Sequence, residues 1–289
     1  MMPLKHFYYL VSRGIIHTKQ SAKDNKTMYN LKIIQCGNDR IEIYKVNNYI
    51  IREGECKDLD EEKIIGEGGG NQSTKDKKRN LRDSRNNIIR LIKCNDDMKT
   101  FITLTFAKET DYKESKKYLN NLFNKLRRAY YNLKYIWVLE YGDKKGRLHY
   151  HMLCNIPINI KLSNSKERKS ENHKNLENNF EKKFWKYGFV DIRHLEQEDN
   201  TNIALYVSSY IVKSMENISL EGYRVFGYSR KTLDKPIETK IYTRDGIESI
   251  LKCFVEDFEL KFSNSYPIGY VDWKGEHSGT VSYYDFIKN

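Results

Sequence analysis

The chain has 289 residues, with 51 Lys and Arg against 39 Asp and Glu, a formal net charge of +12. That length accommodates one well-buried domain with additions or two small ones, and the charge favours a polyanionic partner. Five cysteines, odd in number and without a Cys-x-x-Cys pair, argue against a disulfide scaffold or zinc ribbon. No apolar run is long enough to cross a membrane and no signal peptide is evident, so a soluble, cytoplasmic protein is expected.

In chain order, residues 1–50 mix short β-rich runs, Phe7-Tyr8-Tyr9-Leu10-Val11 and Ile41-Glu42-Ile43-Tyr44-Lys45-Val46, with polar connectors. Residues 53–80 pass from acidic, through Gly68-Gly69-Gly70, into a basic cluster that begins at Lys75, which reads as a flexible linker. No Gly-Lys-Ser/Thr follows those glycines, which excludes a nucleotide phosphate loop. A helix is predicted over 81–94, its basic residues either a solvated face or a track for a nucleic-acid backbone. A strand follows over 101–106, where Thr103 and Thr105 share a face and β-propensity alone accounts for them. Leu119, Leu122, Phe123, Leu126, Tyr130 and Leu133 predict a helix over 111–133. Two strands, 135–140 and 147–153, flank a polar hairpin loop.

Beyond Pro157, residues 158–175 read as an exposed loop holding a solvated His173. A helix over 175–187 buries Leu176, Phe180 and Phe184, with Gly188 as its C-terminal stop. Phe189-Val190-Asp191-Ile192-Arg193 reads as a strand, with His194 after it as an ordinary hydrogen-bonding histidine in preference to a ligand. The next helix starts near Asn200 or Thr201, either of which can cap it. Residues 237–289 hold strand-like pieces, a helix around 247–254 and an aromatic-rich tail, including Tyr266, Tyr283, Tyr284 and Phe286. A small core explains that tail more readily than base stacking does. The alternation over 100–215 predicts an α+β fold, an antiparallel central sheet flanked by helices. Three regions are expected: 1–75, an N-terminal β-rich extension and linker; 76–235, the main domain; and 236–289, a small C-terminal extension.

Two patterns point to chemistry. In Arg147-Leu148-His149-Tyr150-His151-Met152-Leu153, the period of two puts His149 and His151 on one strand face, where two imidazoles can share a divalent metal. Glu140, at the end of the preceding strand, lies opposite or diagonal to His149 and is the candidate third ligand, with Asp191 and Glu196 as alternatives. In Tyr206-Val207-Ser208-Ser209-Tyr210-Ile211-Val212-Lys213, helical spacing puts Tyr206, Tyr210 and Lys213 on one face. Ile203, Val207 and Ile211, with Leu205 and Val212, are left to face the core.

Together these motifs resemble the HUH endonucleases, and among them the rolling-circle replication initiators of plasmids and single-stranded DNA phages. Phe101-Ile102-Thr103-Leu104-Thr105-Phe106 resembles the first-strand motif, Gly146-Arg147-Leu148-His149-Tyr150-His151 the His-hydrophobic-His motif, and the Tyr206 to Lys213 run the two-tyrosine form of the third. The resemblance covers about residues 80–235, where Gly227-Tyr228-Ser229-Arg230-Lys231 and Lys235-Pro236 are similar to a closing basic segment. Ser209 stands where phage-type members usually carry Lys, which leaves one-tyrosine and two-tyrosine mechanisms both open. The resemblance implies a ferredoxin-like core. It also implies a metal-dependent nickase acting on single-stranded or hairpin origin DNA, with Mg²⁺ or Mn²⁺ as cofactor. Its products would be a 5′-phosphotyrosine and a free 3′-hydroxyl primer. With no helicase motif in the chain, a host helicase and polymerase are the implied partners. The alternatives are a mobilisation or transposition nuclease of the same superfamily, a metal-dependent hydrolase that does not use the tyrosines, and a non-catalytic DNA-binding regulator.

Overall fold

The computed structural model describes residues 28–47, 51–52, 74–142, 147–195, 202–216, 223–271 and 277–289. The fold is α+β, with two five-stranded antiparallel sheets and five helices among the described residues. The chain divides into two compact units, one of residues 68–234 and one combining 1–67 with 235–289.

In the unit of residues 68–234, α1 (Thr74–Lys93) leads into β5 (Thr100–Phe106), α2 (Tyr112–Ala129), β6 (Tyr135–Tyr141) and β7 (Leu148–Cys154). Then come α3 (Glu171–Lys183), β8 (Gly188–His194), α4 (Ile203–Glu216) and β9 (Phe226–Tyr228). The sheet order is β8-β5-β7-β6-β9. Alternation sorts its side chains into two buried layers. On one face Ile102, Leu104, Trp137, Leu139, Tyr150 and Met152 pack with Leu119, Leu122, Phe123 and Leu126 of α2 and Phe180 of α3. On the other, Phe101, Ile136, Val138 and Leu153 pack with Ile88, Leu91 and Ile92 of α1 and Ala204, Val207 and Ile211 of α4.

Local chemistry sets the helix ends. Asp111 caps α2 by accepting from the Glu114 N–H at 2.8 Å, and the helix stops at Ala129, short of the expected Leu133. The chain then turns through Asn132 at φ 53° and enters β6. Two expectations are corrected in α3. It begins at Glu171, capped by Ser170, so the end of the supposed loop is helical. His173 is fully buried, not solvated, because its two ring nitrogens satisfy backbone groups: Nδ1 accepts from the Ser163 N–H at 3.3 Å and Nε2–H donates to the Ile192 carbonyl at 2.9 Å. Nor does Gly188 stop that helix, which ends at Lys183; Gly188 opens β8 instead. The helix α1 starts seven residues earlier than periodicity suggests, because Thr74 to Asn80 carry no apolar stripe to mark it.

In the other unit, β2 (Leu31–Cys36), β3 (Arg40–Asn47), β10 (Ile237–Ile241), β11 (Phe258–Val271) and β12 (His277–Lys288) form a sheet in the order β10-β2-β3-β12-β11. Segments that the sequence treats as separate N- and C-terminal additions therefore share one sheet. Its core joins Leu31, Ile33, Ile41, Ile43 and Phe286 to Ile250 of α5 (Ile247–Lys252), with Tyr284 packed against it. The short strands β1 (Met28–Tyr29) and β4 (Ile51–Arg52) pair separately. The expected strand at Phe7 to Val11 and the Gly68 to Gly70 stretch lie outside the described residues. Among the described residues no helix is long and apolar enough to cross a membrane.

Gly188 enters β8 with no room for a side chain: a Cβ there would stand 1.9 Å from the Thr105 carbonyl oxygen and 2.5 Å from the Ala107 nitrogen. Both are backbone atoms and cannot rotate away. Gly188→Ala is expected to destabilise the fold by about 1–3 kcal/mol, read as a lower urea midpoint with an unchanged slope.

Candidate active site

The site is built on the ladder β5–β7–β6. Its register aligns Thr105 with His149 and His149 with Glu140 in one row, and Thr103 with His151 and His151 with Val138 in the next. All six side chains point to the face that α4 covers, because each row is two residues from the other on every strand. Glu140 is therefore directly opposite His149.

Each histidine is held by a threonine one strand away. The His149 Nδ1 lies 2.9 Å from Thr105 Oγ1, and the His151 Nδ1 lies 3.1 Å from Thr103 Oγ1. The two imidazoles are nearly parallel, with ring centroids 6.5 Å apart. These hydroxyls fix the ring orientations, a role that β-propensity alone did not suggest. Matching Thr-x-Thr and His-x-His alternations on two strands were the available signal.

Glu140 is 7% exposed. Its Oε2 accepts from His151 Nε2–H at 2.6 Å, and its Oε1 pairs with the Lys213 ammonium. Burial works against the charge of this carboxylate, but the His151 and Lys213 hydrogen bonds prevail and hold its pKa at about 2. His149 is pushed below the ordinary imidazole value by burial, and then by His151, which favours the neutral form.

The helix α4 brings the phenols to the same place. Asn202 Oδ1 accepts from the Leu205 N–H at its start; Asn200 and Thr201, the expected caps, lie outside the described residues. Val207 and Ile211 are buried as expected, whereas Leu205 is exposed. The Tyr210 ring centroid lies 4.1 Å from that of His151, and the Tyr206 and Tyr210 hydroxyls are 2.9 Å apart. Phe101, buried beneath them, touches three of these rings, with centroids 5.7 Å from His151, 5.2 Å from Tyr206 and 5.8 Å from Tyr210. Sequence patterning alone gave Phe101 no such positioning role. Burial, the Tyr206 hydroxyl and the charges of Glu140 and Asp191 all push the Tyr210 phenol above its ordinary pKa. The Ser209 hydroxyl is satisfied by the Tyr206 carbonyl at 2.7 Å.

Residues 99–215 match the family of replication-associated proteins described as ORF2 or gene 2 protein. The matched segment runs from the start of β5 through α4 and contains Glu140, His149, His151, Tyr206, Tyr210 and Lys213. The match supports a replication-initiator type of protein. No curated protein and no solved structure matches the chain.

Two imidazoles, with their Nδ1 atoms held by hydroxyls, and an ionised carboxylate are a suitable donor set for a divalent cation. In this arrangement the donors are not gathered around one point. Among the described residues no three His, Cys, Asp or Glu side chains are grouped as a metal site, and both Glu140 oxygens are engaged by His151 and Lys213. The alternative carboxylate Asp191 shares the site face but accepts from Lys169 at 2.5 Å and from Arg193 at 3.0 Å. Glu196 lies outside the described residues. His194 pairs with Thr100 and so faces the opposite side of the sheet. Cys154 is packing: burial pushes its thiol up to about 12.

Gly142 closes over His149, where a Cβ would stand 2.4 Å from His149 Nε2. Gly142→Ala must displace the imidazole. A shift of the His149 ring resonances in NMR is expected, with activity at the site lowered roughly a hundredfold and the fold intact.

Glu140 also makes stability depend on pH. A folded pKa of about 2, below the ordinary 4.5, adds stability present in full above pH 4.5 and lost as pH falls toward 2. Glu140→Gln should therefore melt below the wild type at neutral pH, and thermal midpoints of the two should converge on acidification through that window.

Proposed function

We propose that residues 68–234 form a site-specific nickase of the HUH type, which initiates rolling-circle replication by cutting one strand of origin DNA with a tyrosine. The observation that carries this reading is the seating of two phenols, hydroxyl to hydroxyl, against the histidine row, with Tyr210 in ring contact with His151. A phenolic oxygen attacks phosphorus, the bond to the 3′-oxygen breaks, and the leaving oxygen takes up a proton. The products are a 5′-phosphotyrosine and a free 3′-hydroxyl that primes synthesis. His149, His151 and Glu140 would hold Mg²⁺ or Mn²⁺, which polarises the scissile phosphate when bound.

The residues of the chain prepare the rest. Thr103 and Thr105 keep the imidazoles oriented, and Phe101 sets the tyrosine rings above them. Tyr210 is held protonated by burial, by the Tyr206 hydroxyl and by the surrounding carboxylates, so nucleophilicity depends on offsetting their effect. Lys213, now on Glu140, is the nearby cation of α4 that contributes to this offset. Tyr206 is the more exposed of the two phenols and the first that a strand would meet. Host helicase and polymerase complete the reaction, and the substrate is a melted or hairpin strand.

The phenols are alternative nucleophiles at one phosphate, since one helical turn separates them by about 5–6 Å. With single-stranded DNA carrying the origin, Tyr206→Phe and Tyr210→Phe are each expected to form a peptide–DNA adduct on the remaining tyrosine by mass spectrometry, and the double variant none. Loss of every adduct in one folded single variant would show that a single tyrosine acts. Changing both His149 and His151 to Ala, or chelation, is expected to abolish cleavage while basic side chains retain much of the DNA affinity. Full nicking by that double variant would exclude the metal assignment.

A further inference from the structure

The edge strand β8 presents a phenylalanine to solvent on the face that holds the site. Phe189 is 60% exposed. Its register partner is Thr105, which pairs with His149, which pairs with Glu140. Residues directly opposite across a ladder share a face, so Phe189, Thr105, His149 and Glu140 form one continuous row. Phe101, at the other end of β5, is 2% exposed beneath the tyrosines of α4, so the helix covers that end of the face.

A single exposed apolar side chain is ordinary. Here, however, two more lie on the helix that borders the same face, Leu205 at 50% and Tyr206 at 36% exposure. The position of Phe189 is also built in, because Gly188 immediately before it fits only as glycine against the Thr105 and Ala107 backbone. Two strand spacings, about 10 Å, separate the backbone of Phe189 from that of His149. A base on a nucleotide next to a phosphate at His149 can reach that far.

We propose that Phe189 is a base-stacking platform, a positioning residue that lays single-stranded nucleic acid across the row from His149 and presents the scissile phosphate to the tyrosines. This inference rests on the nickase reading of the same face. Every base has a π-face, so an aromatic platform sets where the strand lies without selecting its sequence. An aliphatic side chain would fill the same space and cover the same apolar surface without supplying the stack.

That difference gives the test. Binding of a fluorescein-labelled, mixed-sequence single-stranded oligonucleotide pool is measured by anisotropy for the full-length wild type and for Phe189→Leu, Phe189→Ala and Phe189→Trp. The Leu and Ala variants are expected to bind roughly tenfold more weakly, and Trp to bind like the wild type, with urea midpoints unchanged. With 2-aminopurine placed in the strand, quenching by the wild type and Trp variant should be lost with Leu. Wild-type affinity and quenching in Phe189→Leu would overturn the platform. Adduct formation is scored in the same samples. Binding that depends on Phe189 without any adduct in the wild type would remove the nickase reading and leave the platform standing. An adduct in the wild type with binding indifferent to Phe189 would do the reverse.

Discussion

The register of three antiparallel strands is the constraint on which the rest depends. Because the period of a strand is two, one ladder alignment puts Thr105, His149 and Glu140 in a row and Thr103 and His151 in the next, all on one face. A slip of one residue would send both histidines into the layer of Leu104, Tyr150 and Met152 beneath α2. The large apolar residues on that opposite face make such a slip costly, since Tyr150 and Met152 are fully buried there. Core packing on one side of the sheet thus protects polar geometry on the other.

The polar row is expensive to keep. Glu140 sits at 7% exposure and remains charged only because His151 and Lys213 meet its two oxygens. Those contacts tie β6, β7 and α4 together, so the helix that carries the tyrosines is anchored electrostatically as well as through Val207 and Ile211. The same carboxylate raises the Tyr210 phenol. As it stands, the site is balanced for stability more than for attack, and any cation that takes over Glu140 would release Lys213 and relieve the phenol together. Structural and chemical demands therefore meet at one carboxylate.

The rim of the face differs in character from its centre. Phe189, Leu205 and Tyr206 give it an apolar edge on a chain whose net charge is +12. A strand of nucleic acid offers both a charged backbone and apolar bases, and a surface with both features suits it. The second unit adds a separate sheet drawn from both ends of the chain, with its own core around Ile43, Ile250 and Phe286.

Much of the site was legible in the sequence, because period two for His149 and His151 and period 3.6 for Tyr206, Tyr210 and Lys213 determine shared faces without any knowledge of neighbours. The order of strands and helices from Thr100 to Glu216 was legible for the same reason, as was the hairpin that sets Glu140 opposite His149. Tertiary structure alone decided what those faces meet. Phe101 read as an ordinary strand residue until α4 was packed on it, and Thr103 and Thr105 acquired their histidines only through pairing across strands. His173, in a polar stretch, is buried because α3 lies along the edge strand β8, where a carbonyl needs a donor. The two ends of the chain share a sheet because β3 and β12 pair over eight residues, from Arg40 to Asn47. Periodicity is a property of neighbours in sequence, whereas pairing partners, buried hydrogen bonds and ion pairs belong to residues far apart in the chain, and these become fixed only when the whole fold is formed.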